Sequence, residues 1–180
     1  HLYVEEFDND YLLEEVVVKK EKLDGEYKIY YDSGEIKEEV TYKDGKSEGV
    51  YRSYNKYGEL EKEVTYKEGL KEGVYKIYAG VYCLLEEGTH KNGVKEGKCY
   101  KITKRNYSFL KEEEIYKNGK LEGPRKIYTE TGKLWIEENY KNGELEGVTK
   151  IYHYNGRIKV EIIYKKGKIE GIYKIYSEMG

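Results

Sequence analysis

The feature that most restricts this chain is a glycine that returns at fixed intervals. Preceded each time by Glu or Asp, it stands at Gly25, Gly49, Gly73, Gly97, Gly123, Gly147 and Gly171, in steps of 24, 24, 24, 26, 24 and 24 residues. A second glycine lies four positions before the marker at Gly45, Gly69, Gly93, Gly119, Gly143 and Gly167. A third lies nine positions after it at Gly34, Gly58, Gly132, Gly156 and Gly180. Such a period implies tandem supersecondary units that bury apolar surface only by stacking. One domain, 1–180, is expected, with a degraded capping unit 1–24, full units 25–48, 49–72, 73–96, 97–122, 123–146 and 147–170, and a partial unit 171–180.

Between the glycines the pattern has a period of two. Leu60, Val64 and Tyr66 alternate with Glu61, Glu63 and Thr65, and Ile158, Val160, Ile162 and Tyr164 repeat the pattern, as a half-buried strand requires. Tyr27 to Tyr31 supply the aromatic and branched residues of a second strand. Asn155-Gly156 reads as a two-residue hairpin loop, with Ser33-Gly34 and Thr131-Gly132 as weaker versions, and stretches such as 43–49 as the longer return. The expectation is an all-β, single-layer antiparallel meander of roughly fifteen strands, about 70 Å long at ~4.8 Å per strand. Residues 1–24 fit the same frame, Tyr3 falling where Tyr27 falls and Leu12, Val16 and Val18 where Ile36, Val40 and Tyr42 fall.

The phrase Y-K-x-G-x-x-E-G, then x-Y-K-I-Y and x-x-x-G-x-L, resembles the MORN repeat in the variant form frequent in bacterial proteins. Tyr27, Tyr51, Tyr75 and Tyr173 stand where the standard repeat has a further glycine. The resemblance implies β-hairpin arrays acting as scaffolds or protein-binding platforms. It also implies two alternatives, association with anionic lipid and antitoxin-like neutralisation of a partner toxin. It transfers no catalytic residue.

Hairpin geometry places Tyr27, Ile29, Ile36, Val40 and Tyr42 on one face, with Tyr51, Leu60, Val64 and Tyr66 as counterparts, and this is the expected core. The outer face carries Lys28, Lys37 and Glu39, and a row of Tyr30, Tyr54, Tyr78, Tyr128, Tyr152 and Tyr176. Trp135, the only tryptophan, is expected opposite Tyr128 with Tyr152 one repeat away. Trp135, Tyr128, Tyr152, Tyr54 and Tyr30 are therefore the candidate partner-binding residues. The row has a second reading, the favoured one, in which it stacks on itself to stiffen a thin sheet. The segment 79–110 is the other candidate region, because there the turn glycine gives way to Tyr82, His90 replaces a tyrosine, two residues are inserted and both cysteines appear. Drift of the repeat is the favoured reading of this segment.

Other chemistry is not indicated. With 33 Lys and Arg against 35 Asp and Glu, interleaved throughout, the chain lacks the continuous positive field of a nucleic-acid groove. Its 23 tyrosines oppose disorder despite 38% charged residues. No apolar run reaches the roughly 18 residues of a membrane span, so the chain reads as soluble, and its compartment stays open between cell surface or exterior and cytoplasm. The repeat frame sets Cys83 about 17–20 Å from the position opposite Cys99, so two thiols are expected. His1, His90 and His153 lie in different repeats without zinc-ligand spacing. Glu112, Glu113 and Glu114 read as a solvated strand face, and Asn106-Tyr107-Ser108 is a short sequon of high chance frequency. No enzyme, cofactor or metal is expected. Lysines near the long turns, Lys43, Lys46, Lys67 and Lys71, are largely cancelled by Glu48, Glu68 and Glu72. An edge-strand homodimer through the Tyr173 to Tyr176 strand is a further expectation.

Overall fold

The computed structural model describes residues 2–3, 14–19, 22–80, 83–105, 108–171 and 173–179. Every regular element among them is a β-strand, and successive strands pair antiparallel, so the fold is an all-β meander. The chain divides into two units, 1–94 and 95–180.

In the first unit the strands Leu2–Tyr3, Glu14–Lys19, Lys22–Tyr30, Ile36–Lys43, Lys46–Tyr54, Leu60–Lys67, Leu70–Tyr78 and Leu84–Lys91 pair in chain order. Tyr3 pairs with Val16 as Tyr27 pairs with Val40 and Tyr51 with Val64, so the repeat register reaches the N-terminal strands. Leu12, also placed in that frame, lies outside the described residues. In the second unit the long strands are Gly97–Arg105, Ser108–Lys117, Gly123–Tyr128, Leu134–Lys141, Gly147–Tyr152 and Ile158–Lys165, with two-residue strands between and after them.

Two turn types alternate, and they are the reverse of the expected assignment. Lys43 pairs with Lys46 across Asp44-Gly45, whose φ values are 50° and 80°. This is a two-residue type I′ loop, which needs positive φ at both positions. It recurs at Glu68-Gly69, Asn92-Gly93, Asn118-Gly119, Asn142-Gly143 and Lys166-Gly167. At Asn155-Gly156 the His153 N–H donates to the Arg157 carbonyl at 2.8 Å and the Gly156 N–H to the His153 carbonyl at 2.9 Å. That loop has three residues, with only its glycine at positive φ, and it adds one residue to the returning strand.

The added residue shifts the register. Ile29 pairs with Glu38, yet Tyr30 pairs with Ile36; the same step separates Ser53 from Tyr54 and Ile127 from Tyr128. Ile36 and Leu60 are therefore partners of the outer tyrosines Tyr30 and Tyr54, not members of the core row as expected. Leu134, rather than Trp135, pairs with Tyr128, and Trp135 is the extra residue of the bulge.

The acids of five Glu-Gly markers share a structural task. Carboxylates of Glu48, Glu72, Glu96, Glu122 and Glu146 accept from the first N–H of the next type I′ loop, at Glu68, Asn92, Asn118, Asn142 and Lys166, over 2.7 to 2.8 Å. The following glycine N–H donates to a backbone carbonyl of the preceding repeat, as from Gly69 to Ser47 and from Gly143 to Leu121, both 2.9 Å. The period thus encodes a clasp between repeats as well as a turn. Lys166 holds a left-handed φ of 49° that costs most L-residues about 1–2 kcal/mol and asparagine less. Lys166→Asn is expected to stabilise the second unit by up to about 1 kcal/mol, read as a rise in its urea midpoint.

Burial is confined to one face. Val40, Val64 and Tyr75 are buried in the first unit, and Cys99, Leu110, Ile127 and Thr149 in the second. A few residues must exclude water from a single layer, and tyrosine does so with its ring while its hydroxyl finds a polar partner. Tyr27 meets Tyr42 edge to face at 5.8 Å, Tyr51 meets Tyr66 at 6.3 Å, and Tyr75 meets His90 at 4.5 Å. His90 therefore keeps the ring pair of the tyrosine it replaces.

Candidate functional site

The outer tyrosines are tied down. Tyr54 donates to Glu39 at 2.8 Å, Tyr128 to Glu113 at 3.2 Å, Tyr152 to Glu137 at 3.2 Å and Tyr176 to Glu161 at 2.8 Å. The acceptor lies 15 residues earlier each time, so every bond joins one hairpin to the one before it. Burial, reinforced by Glu39, pushes the Tyr54 phenol up to about 12. Burial and the neighbouring glutamate also raise Tyr128 and Tyr152, whereas the hydrogen bond to Glu161 is the main cause at Tyr176. Each phenol stays a neutral donor at physiological pH. Carboxylates thus brace Tyr54, Tyr128, Tyr152 and Tyr176, and Tyr30, Tyr54, Tyr78, Tyr128 and Tyr152 are half-buried.

Trp135 stands apart from that row. It lines an open groove of about 770 Å³ in the second unit together with Leu110, Leu134 and Tyr152. Lys133 and Lys159 contribute cations, Glu130 and Glu178 carboxylates, and Ser108, Thr129 and Thr131 hydroxyls. Trp135 occupies the bulge position held by Lys37, Glu61, Leu85 and Lys159 in other repeats, so an indole stands where three of those four repeats carry a charged side chain. The three-residue turn after Tyr152 is fixed by the segment beyond it: a His153 ring nitrogen lies 3.0 Å from the Tyr176 carbonyl and Asn155 donates to the Glu178 carbonyl at 3.2 Å. Lys133 donates to the Tyr154 carbonyl at 3.0 Å, with its ammonium 3.8 Å from the Tyr154 ring centre.

The two-residue insertion builds the opposite wall. Gly97–Arg105 and Ser108–Lys117 keep an unbroken register of nine pairs, from Gly97 with Tyr116 to Arg105 with Ser108. The next hairpin has six pairs and a bulge. Ser108 and Leu110 on the extra length face the groove. The irregular segment and Trp135, two separate candidates in the sequence, thus meet at one place. Tyr128 does not line it, and Tyr54 and Tyr30 belong to the first unit. Leu110, Leu134, Lys133 and Lys159 were not singled out in the sequence. The signal that could have found them is the longer hairpin together with the residues flanking Trp135.

The expected solvated face at Glu112 to Glu114 is corrected. Glu112 and Glu114 are 2% and 3% exposed, because strand alternation turns both inward and only Glu113 outward. Arg125 binds Glu112, donates to Glu114 at 3.1 Å and to Glu138 at 2.7 Å, while Lys101 lies 2.8 Å from Glu114 and 3.4 Å from Glu112. Tyr116 and Tyr140 donate to Glu114 and Glu138 at 2.9 and 3.1 Å. Burial opposes ionisation of Glu112, but hydrogen bonds from Thr103 and Arg125 and the charges of Arg125 and Lys101 outweigh it and hold the carboxyl low. A carboxylate so fixed is a structural counter-ion rather than a proton donor.

Cys83 is exposed and Cys99 buried, and neither is in a disulfide. No group of three metal-ligating side chains gathers among the described residues. Tyr82 and the sequon residue Asn106 lie outside the described residues.

Stacked hairpins joined by repeat-to-repeat clasps define a tandem β-hairpin repeat protein. A family model described as MORN repeat variant matches residues 23–44, 121–142 and 145–166, and the chain carries MORN-variant repeats at these segments. Such repeats are generally associated with protein or membrane binding, and as a class they are non-catalytic binding elements. A comparison with curated proteins found no match.

Proposed function

We propose that this protein is a non-catalytic binding module that recognises another protein through the groove at Trp135. The carrying observation is the convergence of the lone tryptophan, Tyr152, Leu134 and Leu110 on an open cleft walled by the one lengthened hairpin. Half-exposed Trp135, Tyr152 and Leu134 beside the buried Leu110, rimmed by charges of both signs, suit a protein surface, where a few such anchors carry most of the affinity. The tyrosine row serves this function indirectly, keeping the strands that present the groove in fixed register. Tyr54 acts as a brace of this kind in the first unit, and Tyr128 does so beside the groove.

A lipid reading draws less support. Lys46 is paired with Glu68 at 3.0 Å, and Glu48 and Glu72 sit against neighbouring turns, so the turn lysines face compensating charge. The test is affinity capture from lysate and envelope fractions with the intact chain and a folded Trp135→Ala/Lys159→Ala variant. A protein retained by the intact chain and lost with the variant is the expected result. Equal retention by both would move the binding site away from the groove.

A further inference from the structure

The outer face of the first unit carries a charge sequence of regular alternation. Register partners across six successive strands run Lys28, Glu39, Arg52, Glu63, Lys76 and Glu87, with signs alternating at every strand. On one side lies Glu26, Thr41, Val50, Thr65, Val74 and Thr89, in which Val50 and Val74 are 36% and 50% exposed. On the other side lie Tyr30 with Ile36, Tyr54 with Leu60 and Tyr78 with Leu84. The charges are half-exposed: Arg52 retains 40% of its side-chain surface while contacting Glu63 at 3.0 Å and Glu39 at 3.4 Å.

An even, alternating row is complementary to its own reverse. If a two-fold axis runs parallel to the strands and passes between those of Arg52 and Glu63, each residue faces one of opposite sign. Arg52 then meets Glu63 of the second copy, Glu39 meets Lys76 and Lys28 meets Glu87. The flanking rows obey the same operation, with Tyr54 facing Leu60, Tyr30 facing Leu84 and Val74 facing Thr41. A closed two-fold contact requires this self-matching, and twisted sheets pack face to face with their strands nearly aligned.

From this complementarity we infer that the outer face of the first unit docks on a second copy of the chain. The footprint is modest. Six strands at ~4.8 Å and five residues at ~3.3 Å give roughly 500 Å² per partner, or about 1,000 Å² in total, in the range of transient complexes. The dimer is therefore dissociable, and its charged stripe makes it salt-sensitive. This contact uses neither the groove nor a sheet edge.

Sedimentation velocity on the full chain tests it. The dimer is expected to weaken at least about tenfold as salt rises from about 0.1 to about 1 M, where the screening length falls from about 10 to about 3 Å. Glu39→Lys/Glu63→Lys makes the middle of the row cationic, and Arg52→Glu/Lys76→Glu makes it anionic. Each variant alone is expected to be monomeric, and an equimolar mixture to restore the dimer. If circular dichroism shows either variant unfolded, Arg52→Gln replaces it and is expected to weaken wild-type association about tenfold. A wild-type chain monomeric at low salt would overturn the inference. So would a dimer indifferent to salt and to these substitutions, which would mark edge-strand pairing instead.

Discussion

Arg125→Leu is expected to destabilise the second unit by about 3–5 kcal/mol, the cost of leaving buried charges without their partner. The Arg125 side chain is 15% exposed and joins Glu112, Glu114 and Glu138; without it Glu112 and Glu114 would share Lys101, and Glu138 would be left with the Tyr140 hydroxyl. The dependence on pH separates this from a loss of packing. In the wild type the Glu112 pKa is lowered by folding. Its contribution is therefore complete above the unfolded value, about 4.3, and is lost as pH falls through the lower folded value. In Arg125→Leu the buried carboxylates lack that cation, so protonation favours the variant's fold, and the gap between the two proteins should shrink in acid. Thermal unfolding followed from neutral pH to below about 4 checks both statements. A gap that stays constant would show that volume, rather than charge, had been lost.

Tyr75→Ala is expected to cost the first unit about 3–5 kcal/mol, as for other large buried rings. Tyr75 is 3% exposed, donates to Glu86 at 2.6 Å and lies over Gly88 and the His90 ring. Gly88 stands where Val40 and Val64 stand in earlier repeats, and a Cβ there would lie 2.9 Å from the Tyr75 ring. Gly88→Val should therefore cost about 1–3 kcal/mol by overpacking. In the double variant the valine occupies space that the alanine vacates, so its loss should fall short of the sum by about 1 kcal/mol or more. Urea denaturation of the three variants measures the coupling, and strict additivity would refute the compensation. This part of segment 79–110 is thus a repacked core, whereas its inserted hairpin is a wall of the groove.

The repeat frame was legible because glycine cannot be exchanged freely where φ is positive. The spacing from Gly45 to Gly167 therefore records the two-residue turns, and the markers Gly25 to Gly147 record positive-φ positions within the strands. Which glycine served which turn was less legible. Asn-Gly or Asp-Gly at 44–45, 92–93, 118–119 and 142–143 was the stronger type I′ signal, yet Asn155-Gly156 drew the assignment, and one loop residue then displaced Ile36, Leu60 and Trp135 from their expected partners. The ion network was hidden for a different reason. Arg125 and Glu138 pair where Tyr27 and Val40 or Tyr51 and Val64 pair elsewhere, so the substitution becomes visible only once the register is fixed. Groove residues such as Ser108 and Lys159 come from different hairpins, and a linear frame does not show that a longer hairpin encloses them.

The lone tryptophan supplies the most direct test of recognition through the groove. With a captured partner titrated into the intact chain, Trp135 emission is predicted to shift to the blue, and its quenching by acrylamide to slow, in proportion to the bound fraction. Trp135→Ala should weaken binding by at least about 2 kcal/mol, as loss of a hot-spot anchor does. A partner that binds Trp135→Ala with full affinity and leaves the emission of the intact protein unchanged would contradict the account.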